Sequence, residues 1–186
     1  MYQTSDIRKN LKFKLDGAPW TVVEFQFVKP GKGTAFTRTK LKNLITGQVL
    51  DRTFRTGEKL EPVVLDMKKT SLMYTEGDDF HFMDSETYEQ FMVGRDALGD
   101  LAKWMLENMQ IDLLFYEGRP VSVEIPNFVE LEITYSEPAV KGDTANNTTK
   151  PATVSTGAIV QVPLFVGEGE TIRIDTRTGE YVGRVK

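Results

Sequence analysis

The chain has 186 residues, 40% hydrophobic and 27% charged, with a formal net charge of -4: a globular composition of one or two ordinary domains' length. Cysteine is absent and histidine occurs once, at His81, which excludes disulfides, thiolate catalysis, zinc fingers, iron–sulfur clusters and multi-histidine metal sites. No apolar run reaches the ~18 residues of a spanning helix, and Met1-Tyr2-Gln3-Thr4-Ser5-Asp6 lacks the apolar centre of a secretory signal, so a cytoplasmic protein is expected.

The charge is unevenly placed. Residues 1–63 carry 12 Lys and Arg against 6 Asp and Glu, residues 64–127 carry 5 against 13, and residues 128–186 carry 6 against 8. A basic first third on an acidic protein suits a local contact with a polyanion, although uneven scatter gives the same figures.

Short strands separated by turn residues dominate the pattern. The first third predicts strands at Leu11–Leu15, Trp20–Val28, Thr34–Leu44 and Gln48–Phe54, with turns at Asp16-Gly17, Pro30-Gly31 and Thr46-Gly47. The middle third predicts a hairpin from Leu72–Thr75 and Phe80–Asp84. One helix follows at Arg95–Asn108, whose apolar positions Ala97, Leu98, Leu101, Ala102, Met105 and Leu106 keep helical spacing. A second hairpin joins Asp112–Tyr116 to Pro120–Ile125. The last third predicts strands at Glu130–Tyr135, Ala158–Leu164, Thr171–Asp175 and Tyr181–Val185, and an exposed polar loop from Lys141 to Pro151. Three β-rich units of about 60 residues result, each small enough to need its neighbours. OB-type barrels suit the second and third.

Lys29-Pro30-Gly31-Lys32-Gly33-Thr34 joins two strands of a hairpin. Pro30 fixes its own φ, and Gly31 and Gly33 permit a tight reversal, leaving the Lys32 amine at a bare tip. An ordinary solvated hairpin lysine is the plainer account of the same residues. In the next strand Arg38, Lys40 and Lys42 fall on one face between Phe36 and Leu44, with Thr37, Thr39 and Leu41 on the other. That basic stripe suits a phosphate backbone, and equally a solvated sheet face.

Other signals fail. Gly31-Lys32-Gly33-Thr34 lacks the spacing of a P-loop, and Gly167-Glu168-Gly169 lacks the third glycine of a dinucleotide fingerprint. Asp78-Asp79 and Asp84-Ser85-Glu86 read as solvated acidic turns and His81 as structural, and no nucleophile–base–orienter set is present. On these residues alone two function classes stay open. One is a single-strand RNA-binding module, which the acidic second and third units disfavour. The other is an enzyme with Lys32 as amine nucleophile, which would need that amine desolvated.

Several segments together resemble the bacterial elongation factor P family over essentially the whole chain. They are Lys150-Pro151-Ala152 followed by Gly157, Val160, Val162-Pro163, Val166 and Gly169; Phe27-Val28-Lys29-Pro30-Gly31-Lys32-Gly33; Asn127-Phe128-Val129-Glu130-Leu131; Lys141-Gly142-Asp143-Thr144; and Gly179 through Lys186. The resemblance implies an all-β-dominated fold of three small barrels. A KOW/SH3-like domain at 1–64 carries the Lys32 tip, and OB-fold domains at 65–127 (with one short helix) and 128–186 complete an L-shaped, tRNA-like arrangement. It implies a monomeric, non-membrane factor with no cofactor and no catalytic site of its own. Such a factor binds the 70S ribosome, its ribosomal RNA and peptidyl-tRNA, and relieves stalling at consecutive prolines. Lys32 would be the modified tip residue, with Lys29, Pro30, Gly31 and Gly33 forming its loop. Arg38, Lys40, Lys42 and the Gly142-Asp143-Thr144 loop would be RNA contacts. A β-lysyl group attached by a lysyl-tRNA-synthetase-like ligase is the favoured modification; an aminopentanol group or none are the alternatives, and a lysine tip disfavours rhamnosylation.

Overall fold

The architecture comes from a computed structural model whose described residues are 1–138 and 148–186. The first sheet contains β1 (Tyr2–Gln3), β2 (Lys12–Leu15), β3 (Ala18–Val28), β4 (Phe36–Asn43), β5 (Val49–Arg55) and β6 (Lys59–Pro62), in the order β1-β6-β2-β3-β4-β5. Alternation puts Phe13, Trp20, Val22, Leu41, Phe54 and Leu60 on one face, where with Ile7 they form a core; Phe13 and Phe54 meet edge to face at 6.1 Å. A bulge between Val22 and Glu24 ends the buried part of β3, and Glu24 to Phe27 are exposed. The far half of the β3–β4 hairpin thus runs on beyond the core.

The second sheet contains β7 (Asp66–Glu76), β8 (Asp79–Asp84), β9 (Gln90–Gly94), β10 (Gln110–Tyr116) and β11 (Arg119–Glu124), in the order β11-β10-β7-β8-β9. Leu72, Phe80, Phe82, Val93 and Ile111 are buried in it. Both predicted hairpins are present. The long helix predicted over Arg95–Asn108 is not. One α-helical turn, α1 (Arg95–Leu98), stops at Gly99, whose φ of +58° lies outside the helical region, and a 3-10 helix takes Gly99–Trp104. Trp104, off the predicted apolar stripe, is the residue that goes deepest into a core.

The third sheet contains β12 (Phe128–Ser136), β13 (Thr149–Val154), β14 (Ile159–Pro163), β15 (Thr171–Asp175) and β16 (Glu180–Arg184), in the order β14-β13-β12-β15-β16, and β14 comes against β16 to close it. Val129, Leu131, Ile133, Val154, Val160, Val162, Ile172 and Ile174 fill its interior together with Trp104; Leu106, Met109 and Ile125 pack against them. β13 departs from the predicted loop at its last residues, since Thr149 to Pro151 are strand. Pro151 is tolerated because β12 ends at Ser136 opposite Ala152, which leaves the proline a strand neighbour on one side only. The rest of the predicted loop, apart from Thr148, lies outside the described residues.

One turn recurs in all three sheets. After β4, Asn43 Oδ1 accepts from the N–H groups of Ile45 and Thr46 at 2.8 and 3.0 Å, and Thr46 Oγ1 accepts from Gln48 N–H at 3.2 Å. After β8, Asp84 Oδ1 accepts from Glu86 and Thr87 at 2.8 and 3.1 Å, and Thr87 Oγ1 from Glu89 at 3.3 Å. After β15, Asp175 Oδ1 accepts from Arg177 N–H at 2.9 Å, and Thr178 Oγ1 from Glu180 at 3.3 Å. In each, the fifth residue donates its N–H to the first residue's carbonyl and has positive φ: Gly47 (+77°), Tyr88 (+62°) and Gly179 (+77°). The side chain at the first position replaces backbone partners that a six-residue reversal cannot supply.

Contacts divide the chain into two compact units, 1–68 with 113–122, and 69–112 with 123–186. No helix among the described residues is long and apolar enough to cross a membrane.

Candidate functional site

The projecting β3–β4 hairpin closes at the pair Val28–Phe36, so residues 29–35 form its tip. Lys29, Gly31, Lys32 and Gly33 are exposed and Pro30 is half-buried. Gly33 sits at φ +104°, a conformation closed to other residues without strain, and carries the reversal. Gly31 does not share that role: its φ is not positive, and a Cβ there would meet nothing within 4 Å. No hydrogen bond or ion pair among the described residues engages the Lys29 or Lys32 amine. Nothing around Lys32 desolvates it, so the loop offers no support to the amine-nucleophile reading.

Strand β4 alternates as its sequence predicts. Thr37, Thr39, Leu41 and Asn43 are buried, while Arg38, Lys40 and Lys42 share the opposite, more accessible face. Leu44 lies past the strand end and is buried. The stripe is not purely cationic. In register, Lys40 stands between Glu24 and Asp51, and its Nζ is 3.9 Å from Glu24 Oε2. Arg38, nearer the tip, stands between Gln26 and Thr53, with its guanidinium 5.4 Å from the Phe36 ring centre. A shallow groove of about 360 Å³ follows this face and includes Gln26, Arg38, Lys40, Asp51 and Arg52. Lys40 thus has acidic strand neighbours on both sides, and Arg38, nearer the tip, has uncharged ones.

The sequence reading passed over Phe25 and Phe27, which are 40% and 61% exposed. They lie on the face opposite the stripe, paired with Thr39 and Thr37. Alternation counted on from Trp20 and Val22 would put Phe25 and Phe27 on the outer face; the bulge at Val23 reverses the phase and sets them on the face of Leu41, Thr39 and Thr37.

The remaining candidates separate from this site. Gly142, Asp143 and Thr144 lie outside the described residues. His81 stacks on Tyr74 at 4.3 Å and 14°. Asp78 pairs with Arg95 at 3.2 Å, and the Asp84 carboxylate is occupied by its turn. No cluster of His, Asp or Glu able to hold a metal occurs among the described residues. Two carboxylates of the third sheet and its loops are shifted. A hydrogen bond from the Arg177 side chain, with others from backbone N–H groups, holds Asp175 below its ordinary value; the Gly167 N–H and then Arg184 do the same for Glu170.

Three family models match the chain. Residues 3–60 match the family model of the Elongation factor P (EF-P) KOW-like domain, 65–123 that of the Elongation factor P (EF-P) OB domain, and 129–184 that of Elongation factor P, C-terminal. Elongation factor P of Clostridium botulinum (strain Eklund 17B / Type B) is 52% identical over 185 residues, and that of Desulfatibacillum aliphaticivorans 47% over 186, each covering 100% of both chains. Among solved structures, Eukaryotic translation initiation factor 5A from Methanococcus jannaschii aligns with a TM-score of 0.43 at 20% identity, over 67% of this chain and 90% of that one.

Proposed function

The chain belongs to the elongation factor P family of translation elongation factors, and from that premise we propose that it binds the 70S ribosome beside peptidyl-tRNA and relieves stalling at consecutive prolines through Lys32. The observation that carries this reading is the tip itself: the solvated Lys32 amine, with that of Lys29 in the same loop, on a narrow hairpin, past the last core residue and reversed by Gly33. A long cationic side chain fits between phosphates where a protein body does not.

Proline is a poor nucleophile in this setting, and its ring restricts the nascent chain. A factor that orders the end of peptidyl-tRNA lowers the entropic part of the barrier while the ribosome does the chemistry. In this reading the protein has no catalytic site of its own and acts in the cytoplasm. Its three domains are 1–64, 65–127 and 128–186. Arg38, Lys40, Lys42 and the Gly142-Asp143-Thr144 segment contact RNA. Lys32 carries a β-lysyl group added by a lysyl-tRNA-synthetase-like ligase, which lengthens the reach of the tip.

The test is reconstituted translation of a message with three consecutive proline codons, comparing native-source protein, its Lys32→Ala variant and no addition. Native protein restores full-length product and the variant does not, while both unfold at the same denaturant midpoint because the substitution is exposed. Full rescue by the folded variant refutes the role of Lys32. An unshifted mass for the Lys32 peptide of native protein refutes the modification.

A further inference from the structure

The start of β12 carries a second arrangement of aromatic and cationic groups. Phe128 is 37% exposed, and two guanidinium groups lie against its ring: Arg173 with Cζ 4.5 Å from the ring centre and Arg177 at 5.4 Å. The two arginines differ in their other partners. Arg177 grips Asp175 with two bonds, Nε to Oδ1 and Nη2 to Oδ2, both 3.0 Å, so its charge is answered within the turn. Arg173 makes no hydrogen bond or ion pair among the described residues, although Glu130 stands opposite it in register. Its guanidinium rests on the ring with Glu130 across the strand pair, and its five N–H donors remain for an acceptor from outside.

We propose that this face of β12 and β15 is an RNA-backbone contact in which Arg173, seated on Phe128, takes a phosphate and Glu130 accepts from the neighbouring ribose hydroxyl. A guanidinium matches a phosphate with two parallel bonds, and the aromatic ring limits the conformations it must give up on binding. The Glu130 carboxylate beside it disfavours a bare anion. A phosphodiester with a 2′-hydroxyl supplies both an acceptor for Arg173 and a donor for Glu130, which selects RNA over other anions. Phe128 opens β12, and the Ser136 end of the strand lies eight residues, or about 27 Å, away. This inference rests on ribosome binding as proposed above.

The experiment measures equilibrium binding of the fluorescently labelled full chain to 70S ribosomes carrying peptidyl-tRNA, at several salt concentrations. Arg173→Ala weakens binding about fivefold to tenfold and lowers the slope of log Kd against log salt by about 0.7 to 0.9, the loss of one phosphate. Arg173→Lys keeps the slope with part of the affinity lost, which a merely structural role would not produce. Glu130→Ala also weakens binding; stronger binding, as simple charge repulsion demands, overturns the ribose contact. Unchanged affinity and slope in Arg173→Ala overturn the phosphate contact while ribosome binding stands. Failure of the unaltered chain to bind overturns both readings.

Discussion

Tyr88 occupies the fifth position of the turn after β8, where the matching turns of the other two sheets have Gly47 and Gly179. Its φ of +62° is a conformation in which a β-carbon crowds the backbone. The cost is roughly 1–2 kcal/mol for a non-glycine residue. The ring is 72% exposed, so little packing offsets it. Tyr88→Gly removes the crowding but admits more freedom to the unfolded chain, at a cost of about 0.4–1 kcal/mol. The balance is a gain of about 0–1.6 kcal/mol, centred near 0.8, or up to about 6 °C in Tm for a chain of this length. Tyr88→Ala keeps the crowding and removes the ring, and should match the parent within about 0.5 kcal/mol. The assay is urea unfolding followed by fluorescence in a Trp20→Phe background, leaving Trp104, in the same compact unit as the turn, as the sole tryptophan reporter. Phe suits position 20 because the Trp20 indole N–H is buried without a partner. A Tyr88→Gly variant less stable than its parent refutes the equivalence of the three turns.

Two further predictions concern the same unit. Trp104→Ala should cost about 3–5 kcal/mol in urea unfolding, because a 3% exposed indole leaves the interior of the third sheet; a loss under about 1 kcal/mol would mean that the core collapses around the vacancy. The second is acid sensitivity. Asp175 and Glu170 sit below their ordinary values of 3.8 and 4.5, so their contribution is complete above those values and disappears as pH falls through the lower folded ones. The urea midpoint should therefore drop on acidification below about pH 4.5, and Asp175→Asn should flatten that drop while keeping the turn, as Asn43 does in the first sheet. An unaltered acid limb in Asp175→Asn would show that the Arg177 pair is not its source.

The strands and hairpins were legible because each carries its own local signal: alternation in Phe36–Asn43, Glu117-Gly118 between β10 and β11, Gly33 in the tip. What escaped depends on partners distant in sequence. The stripe from Ala97 to Leu106 has helical spacing, yet Gly99 breaks it and Trp104 answers to a core formed by β12 to β16. Pro151 argues against a strand until the end of β12 is known to lie opposite Ala152. Phe25 and Phe27 fall opposite Trp20 and Val22 until the bulge at Val23 is placed, which turns them to the face of Thr37 and Thr39. Lys32 was legible as a tip residue; that Lys40 is flanked by Glu24 and Asp51 required the register. The recurrence Asn43–Gln48, Asp84–Glu89 and Asp175–Glu180 was present in the sequence, as an Asn or Asp three residues before a threonine, and was hidden by Tyr88 standing where glycine marks the other two.

Trp104 also bears on how this protein can be cut and joined. The segments matched by the OB and C-terminal family models end and begin at 123 and 129, an inviting place to divide the chain. Yet Trp104, Leu106 and Met109 belong to the first segment and lodge in the barrel built by the second, with the indole 3.4 Å from where a β-carbon on Gly179 would stand. A donor fragment beginning at 129 leaves behind the plug of its own barrel, and a recipient ending at 123 is left with an unsheltered indole. For a chimera of this family, the seam that the sequence advertises is not the seam along which the protein comes apart.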